Sequence, residues 1–299
     1  MSALSVNEIT VCGEIAPVDN KAKFIEFIGD SITCGYGVDD EDENHNFSTS
    51  TEDVTKAYAY RTAKMLDVDY SMVSYSGYGI ISGYTGDGVR NEKELVPPYY
   101  ENPAFTYGSF GGVKPHNLSW DFSIRQPDVI VINLGTNDDS FCLEDEEKRT
   151  EYCEKYVDFL KVVRKNNPSA KIVCCLGIMT ERLCPYVEKV VAAYTGETGD
   201  GNISTLRFTA QLPEDGLAAN YHPTSRTHKK AAEKLAAYLK TIIYYIILHL
   251  KKNVKGFCKK HHGKSEVSWT FREKKATGAR LLLLAFIVMI ATEALFPLA

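Results

Sequence analysis

The chain has 299 residues, 44% apolar and 24% charged, which is enough apolar material for a sizeable core and too much for a disordered polymer. Its formal charge of −5 hides an asymmetry: residues 251–280 carry ten Lys and Arg against two Asp and Glu, whereas residues 1–250 carry 24 against 36. An acidic body excludes a broad nucleic-acid surface there, since phosphate contacts need clustered cations.

In chain order, MSALSVNEIT has no basic segment leading into an apolar run, so no signal peptide is expected and the expected location is the cytoplasm. KFIEF predicts a strand at 24–28, and it runs straight into IGDSITCGYG, where Gly, Asp and Ser stand together at a strand end. A helical pattern covers 55–66, and DYSMVSY predicts a strand at 69–75 followed by SGYGI. From about Thr85 to Pro127 runs a Gly-, Pro- and aromatic-rich connection, too long for an ordinary loop and read as a packed lid. DVIVINL predicts a strand at 128–134 ending in GTNDDS, and helical periodicity covers 147–166. KIVCCLGI predicts a strand at 171–178, followed by a helix at 184–194, a weaker strand at 204–208, the string NYHPT, and a last helix at 225–246. The strands at 128 and 171 are nearly unbroken apolar runs, as expected where helices cover both faces of a parallel sheet, and the alternation implies a three-layer α/β/α sandwich.

Beyond Tyr245 the composition changes to KKNVKGFCKKHHGK and then LLLLAFIVMIAT. The apolar run is shorter than the 20 or so residues a spanning helix needs. Weak membrane association through this tail and a loosely docked appendage are both open. The expected organisation is thus 1–20 as the remnant of a preceding module or a leader segment, 21–248 as the main domain and 249–299 as a tail. The eight cysteines contain no C-x-x-C pair, so there is no zinc signature, and they fit buried, reduced thiols. The acidic run DDEDENHN (39–46) lacks calcium-loop spacing and reads as a solvated loop.

Ligand crevices of open α/β sheets lie at the carboxyl ends of the strands. Ser31, the glycines of SGYGI, Asn137 and His222 all fall there. Each alone has an ordinary explanation: a Ser after a strand is more often a helix N-cap, and an Asn a turn residue. Together they supply a hydroxyl nucleophile, a base and oxyanion donors, the parts an acyl-enzyme mechanism needs. No G-x-S-x-G elbow, no Walker loop and no G-x-G-x-x-G occurs, position 82 being Ser.

FIGDSITCGYG, VSYSGYGI, WDFSIRQPDVIVINLGTNDDS and NYHPTSRTHKKAAEKL, in that order, resemble the blocks of the SGNH (GDSL-type) hydrolase superfamily. They are similar in particular to the catalytic domain of carbohydrate esterase family two acetyl esterases, over about residues 20–245. The resemblance implies the SGNH fold, with a mostly parallel, flavodoxin-like sheet, and a metal-independent serine esterase without cofactors, acting on acetylated oligo- or polysaccharide such as xylan. Carried onto this sequence, Ser31 is the nucleophile and His222 the base and acid. The Ser31 and Gly79 backbone N–H groups and the Asn137 amide form the oxyanion hole, Gly79 being preferred to Gly77. Tyr221, beside His222, stands where the family has an aromatic that stacks on sugar. Trp120 and the Tyr99–Tyr100 pair in the long connection are candidates either for a sugar platform or for packing that connection on the sheet, and Asp30 is expected to brace the turn. Relatives carry a β-sandwich ahead of this domain, and VNEITVCGEI reads as its last piece.

One departure stands out. Where many relatives have an Asp two or three residues before the His, this chain has Asn220 and Ala219. The expectation is therefore a Ser–His dyad whose imidazole N–H bonds a backbone carbonyl or another side chain. Two rivals stay open: a lipid-directed esterase or thioesterase on the same scaffold, and a carbohydrate-binding relative that has lost catalysis.

Overall fold

The computed structural model describes residues 8–102, 112, 114 and 117–242, which fall within one compact unit, Met1–Tyr245. Strands β1 (Phe24–Gly29), β2 (Asp69–Ser74), β3 (Val129–Asn133), β4 (Lys171–Leu176) and β5 (Ile203–Arg207) form one sheet in the order β2-β1-β3-β4-β5. Every pairing is parallel. This is the flavodoxin-like order, and its switch point lies between β1 and β3, the two strands that lead to Ser31 and Asn137.

The helices are α1 (Ser31–Cys34), α2 (Tyr58–Leu66), α3 (Pro97–Glu101), α4 (Thr136–Cys142), α5 (Glu146–Asn166), α6 (Cys184–Thr198) and α7 (225–242). The pattern expected at 55–66 divides at Ala57 into a short 3-10 turn, Val54–Lys56, and α2. Successive strand residues feed two cores. Ile28, Ile130, Ile132 and Cys174 face the side covered by α5 and α6, while Phe27, Val129, Val131 and Cys175 face α2 and α7. Burial on both faces is why β3 and β4 are written almost wholly in apolar residues.

The long connection packs down at α3, whereas residues 117–121 are exposed. Tyr99 and Tyr100 on α3 are buried, and the Tyr100 hydroxyl donates to the buried Glu26 carboxylate at 2.9 Å. Neither tyrosine is thus free to act as a sugar platform. Closer to the sheet edge, the Asp138 carboxylate accepts the backbone N–H groups of Ile80, Ile81 and Ser82 at 2.7–3.2 Å. Residues 243–246 of the last expected helix, the end of the expected main domain at 247–248 and the tail at 249–299 lie outside the described residues. Among the described residues no helix is long and apolar enough to cross a membrane.

Candidate active site

Ser31 sits on the first residue of a one-turn helix directly after β1. Asp30 caps that turn, its Oδ1 accepting the Ile32 N–H at 3.0 Å, the bracing role expected of it. Burial pushes the Asp30 carboxyl up to about 7, against the opposing effect of the Ile32 N–H. Gly35 then ends the helix at φ 79, and the N–H groups of Gly35 and Tyr36 both donate to the Ser31 carbonyl at 3.1 Å. A side chain at Gly35 would collide with the Asp53 carbonyl, so this tight reversal needs glycine.

His222 arrives from the other end of the chain, on β7 (His222–Pro223), which pairs antiparallel with β6 (Leu217–Ala218). Just before it, Asn220 (φ 51, ψ 41) and Tyr221 (φ 61) both occupy the left-handed region, where non-glycine residues are uncommon and strained. Four bonds from elsewhere hold them there. Ala219 N–H donates to the Asp40 carbonyl and Asn220 N–H to the His45 carbonyl, each at 3.0 Å. The Gln211 amide donates to the Tyr221 carbonyl at 3.0 Å, and the Tyr36 hydroxyl to Asn220 Oδ1 at 2.7 Å. The run DDEDENHN is therefore more than a solvated loop: its backbone is a seat for the His222 turn.

The two turns meet with His222 Nε2 2.9 Å from Ser31 Oγ, and His222 Nδ1 lies 3.1 Å from the Asn220 carbonyl. A carbonyl only accepts, so Nδ1 carries the proton and Nε2 is the lone pair facing the serine hydroxyl. Burial pulls the imidazole down to about 4, against the raising effect of the Asn220 and Ala219 carbonyls, so the ring is neutral at pH 7. The imidazole N–H does meet a backbone carbonyl, and among the described residues no carboxylate bonds the ring.

The cleft in front of the pair has a volume of about 720 Å³, and its wall includes Ser31, His222, Gly77, Asn137, Tyr84 and Tyr221. The Asn137 amide donates one N–H to the Tyr78 carbonyl at 2.8 Å, leaving the second for the cleft. The Gly79 assignment is corrected. Its N–H donates to the Glu94 carbonyl at 3.1 Å, and the space beside its Cα is filled by the Ser82 carbonyl and the Asp138 carboxylate. Gly77, at φ 85, lines the cleft instead, and neither its N–H nor that of Ser31 has an acceptor among the described residues. Trp120 is also corrected: it is half-exposed, its N–H donates to the Glu101 carbonyl, and it does not line the cleft. Tyr221, 56% exposed, does.

Sequence reasoning missed Tyr36, Tyr84 and the Asp139–Arg182 pair. Tyr84 lines the cleft at 62% exposure, and only its place in the long glycine-rich excursion marks it in the sequence. Asp139 Oδ1 accepts the Arg182 Nε–H at 2.9 Å and Oδ2 the Thr180 hydroxyl at 2.5 Å, forming a polar wall that joins α4 to the segment after β4. Nothing in the local sequence pairs residues 43 positions apart. Among the described residues no group of three or more His, Cys, Asp or Glu side chains is placed to hold a metal ion.

Residues 27–230 match the GDSL-like Lipase/Acylhydrolase family. The chain belongs to this family. Among curated relatives, the cellulase/esterase CelE of Acetivibrio thermocellus is 35% identical over 229 residues, covering 75% of this chain and 26% of CelE. An acetylxylan esterase / glucomannan deacetylase of Cellvibrio japonicus is 31% identical, covering 76% of this chain and 59% of that enzyme. The chain thus spans less than two thirds of the length of either curated relative. Among solved structures, a family two carbohydrate esterase from Clostridium thermocellum in complex with cellohexaose superposes with a TM-score of 0.66 at 32% identity, covering 77% of this chain and 67% of the other. The acetyl xylan esterase Est2A of the rumen bacterium Butyrivibrio proteoclasticus gives 0.71 at 26% identity, covering 78% and 68%. The chain therefore has the SGNH-type α/β/α fold, with a structural neighbour in carbohydrate esterase family two.

Proposed function

We propose that this chain is a serine esterase that removes O-acetyl groups from a plant-type oligo- or polysaccharide. The observation that carries the reading is the 2.9 Å contact between Ser31 Oγ and the unprotonated Nε2 of a neutral His222, at the wall of an open cleft. His222 takes the hydroxyl proton as Ser31 Oγ bonds the acetyl carbon, and the oxygen that becomes negative faces the Ser31 and Gly77 N–H groups and the Asn137 amide. As the tetrahedral centre collapses, the carbon–oxygen bond to the sugar breaks and the imidazolium returns its proton to that oxygen, leaving acetyl-Ser31 and a free sugar hydroxyl. Water then adds with His222 as base, the Ser31 ester breaks, and acetic acid departs as the serine is reprotonated.

Three things favour a carbohydrate over a long acyl chain. The cleft wall includes Ser76, Asn137, Ser140 and Thr180, side chains that can hydrogen-bond the hydroxyls of a sugar. Tyr84 and Tyr221 leave their rings exposed at the cleft, as a sugar face requires. The relatives are named for acetylxylan and glucomannan deacetylation, and one solved relative holds cellohexaose.

The test is hydrolysis of 4-nitrophenyl acetate and butyrate by the parent, Ser31→Ala and His222→Ala, followed by acetate release from acetylated xylan. Acetate should turn over faster than butyrate, and each variant should lose about 10⁴-fold or more. Rates rising with acyl length would favour the lipid-directed reading. A folded parent that binds glycan, turns nothing over and is not labelled at Ser31 by a fluorophosphonate would favour the binding-only one.

A further inference from the structure

We propose that Tyr36 is the positioning residue that stands in for the triad carboxylate this chain lacks, bracing the His222 imidazole and stabilising the imidazolium that forms in each half-reaction. The proposal rests on the esterase reading above.

A triad carboxylate does two things: it holds the imidazole in one tautomer and orientation, and it stabilises the positive charge the ring acquires. With Ala219 and Asn220 ahead of His222, neither task has an anion to perform it. The Asn220 carbonyl takes the Nδ1–H, which sets the tautomer only if that carbonyl is itself fixed. Asn220 is in the left-handed region, so its backbone stays put only while its surroundings over-determine it. Tyr36 does so directly, its hydroxyl donating to Asn220 Oδ1 at 2.7 Å.

The same tyrosine addresses the charge. Its ring stacks on the imidazole with centroids 3.9 Å apart and planes 23° apart, and its own position is backed by Phe47 at 4.6 Å. Against a neutral imidazole this is an aromatic contact; against an imidazolium it becomes a cation–π contact, stronger where water is excluded. The gain appears only when the charge does, which is the condition for accelerating a step and not merely stabilising the resting enzyme.

Tyr36 can reach His222 because of its neighbours. Its N–H donates to the Ser31 carbonyl, so it belongs to the nucleophile's own turn, and Gly35 at φ 79 turns the chain back toward the His222 loop. Gly37, at φ 61, lies so close that a Cβ there would meet the Ala219 Cβ at 2.8 Å. GYG, directly after GDSITC, thus couples nucleophile and base through one aromatic ring.

The experiment compares full-length parent with Tyr36→Phe, Tyr36→Leu and the variant carrying pentafluorophenylalanine at position 36, which keeps the ring's shape and reverses its quadrupole. On 4-nitrophenyl acetate, Tyr36→Phe should lower kcat about three- to tenfold through loss of the brace, with KM unchanged. Pentafluorophenylalanine should lower kcat about three- to thirtyfold further than Phe, and Tyr36→Leu at least as far. Equal kcat for Phe and pentafluorophenylalanine would overturn the charge-stabilising role, and a Phe variant equal to parent would overturn the brace. If Tyr36→Leu does not fold, the Phe and pentafluorophenylalanine pair still decides. Nitrogen-15 histidine spectra add a readout independent of turnover. A single Nδ1–H tautomer for His222 in the parent that becomes a mixture in the ring-reversed or Leu variant supports the brace, and an unchanged tautomer overturns it. A parent inert on all esters while these spectra still shift would count against the esterase reading and leave the brace standing.

Discussion

The turn that presents Ser31 and the turn that presents His222 meet across 2.9 Å, yet they are held in opposite ways. The first is local. A strand ends, Asp30 caps one helical turn, and Gly35 closes it, all within six residues and with each residue in a conformation suited to its type. The second is imposed from outside: two non-glycine residues in the left-handed region are kept there by the backbone at Asp40 and His45 and by the side chains of Tyr36 and Gln211. The proposed nucleophile is thus placed by short-range rules, whereas its proposed base depends on contacts from segments far away in sequence. The Asp30 and Gly35 turn tolerates little change; the His222 turn is the more easily mis-set.

Asn137 belongs with the local half, since it too follows a parallel strand at the start of a helix. Asn137→Ala should therefore leave the fold intact and, on the proposed mechanism, lower kcat on 4-nitrophenyl acetate about 10²- to 10³-fold through loss of an oxyanion donor. An unchanged kcat would remove Asn137 from the oxyanion hole.

Breaking the Ser31 turn itself should show in stability before kinetics. Gly35→Ala places a side chain at φ 79 against the Asp53 carbonyl, and should cost about 2–4 kcal/mol by urea denaturation. Gly77→Ala is the contrasting case, with only the Glu94 carboxylate nearby at 3.6 Å, so its penalty comes from the positive φ alone and its main effect should fall on rate.

On the strained side, Tyr221→Ala should raise KM for an acetylated xylo-oligosaccharide about tenfold, from lost ring contact, while leaving KM for 4-nitrophenyl acetate within about twofold. Equal effects on both substrates would mean that Tyr221 shapes the turn and does not touch the sugar.

The smallest expected effect is on pH. His222 must be neutral to accept the Ser31 proton, and burial holds it near 4. Protonation removes the base, so kcat/KM on 4-nitrophenyl acetate should hold its plateau from pH 7 down to about 5 and fall only toward pH 4. An acid limb near the ordinary histidine value of about 6.5 would mean that the ring is more solvated than this geometry implies.

By itself the sequence determined the five strands and most of the helices, because apolar runs and helical periodicity are written locally and both faces of the sheet demand them. It also brought out Ser31, Asn137 and His222 as a set, through their order along the chain and the family resemblance of the strings around them. Only the tertiary structure decided between Gly77 and Gly79, because the question turns on whether the Glu94 carbonyl, fifteen residues on, occupies the N–H. It likewise moved Trp120 out of the site, brought Tyr84 and Arg182 in, and set Tyr36 against the imidazole. Those assignments depend on which side chains share space across 40 to 190 residues of chain, and neither period nor turn chemistry encodes that.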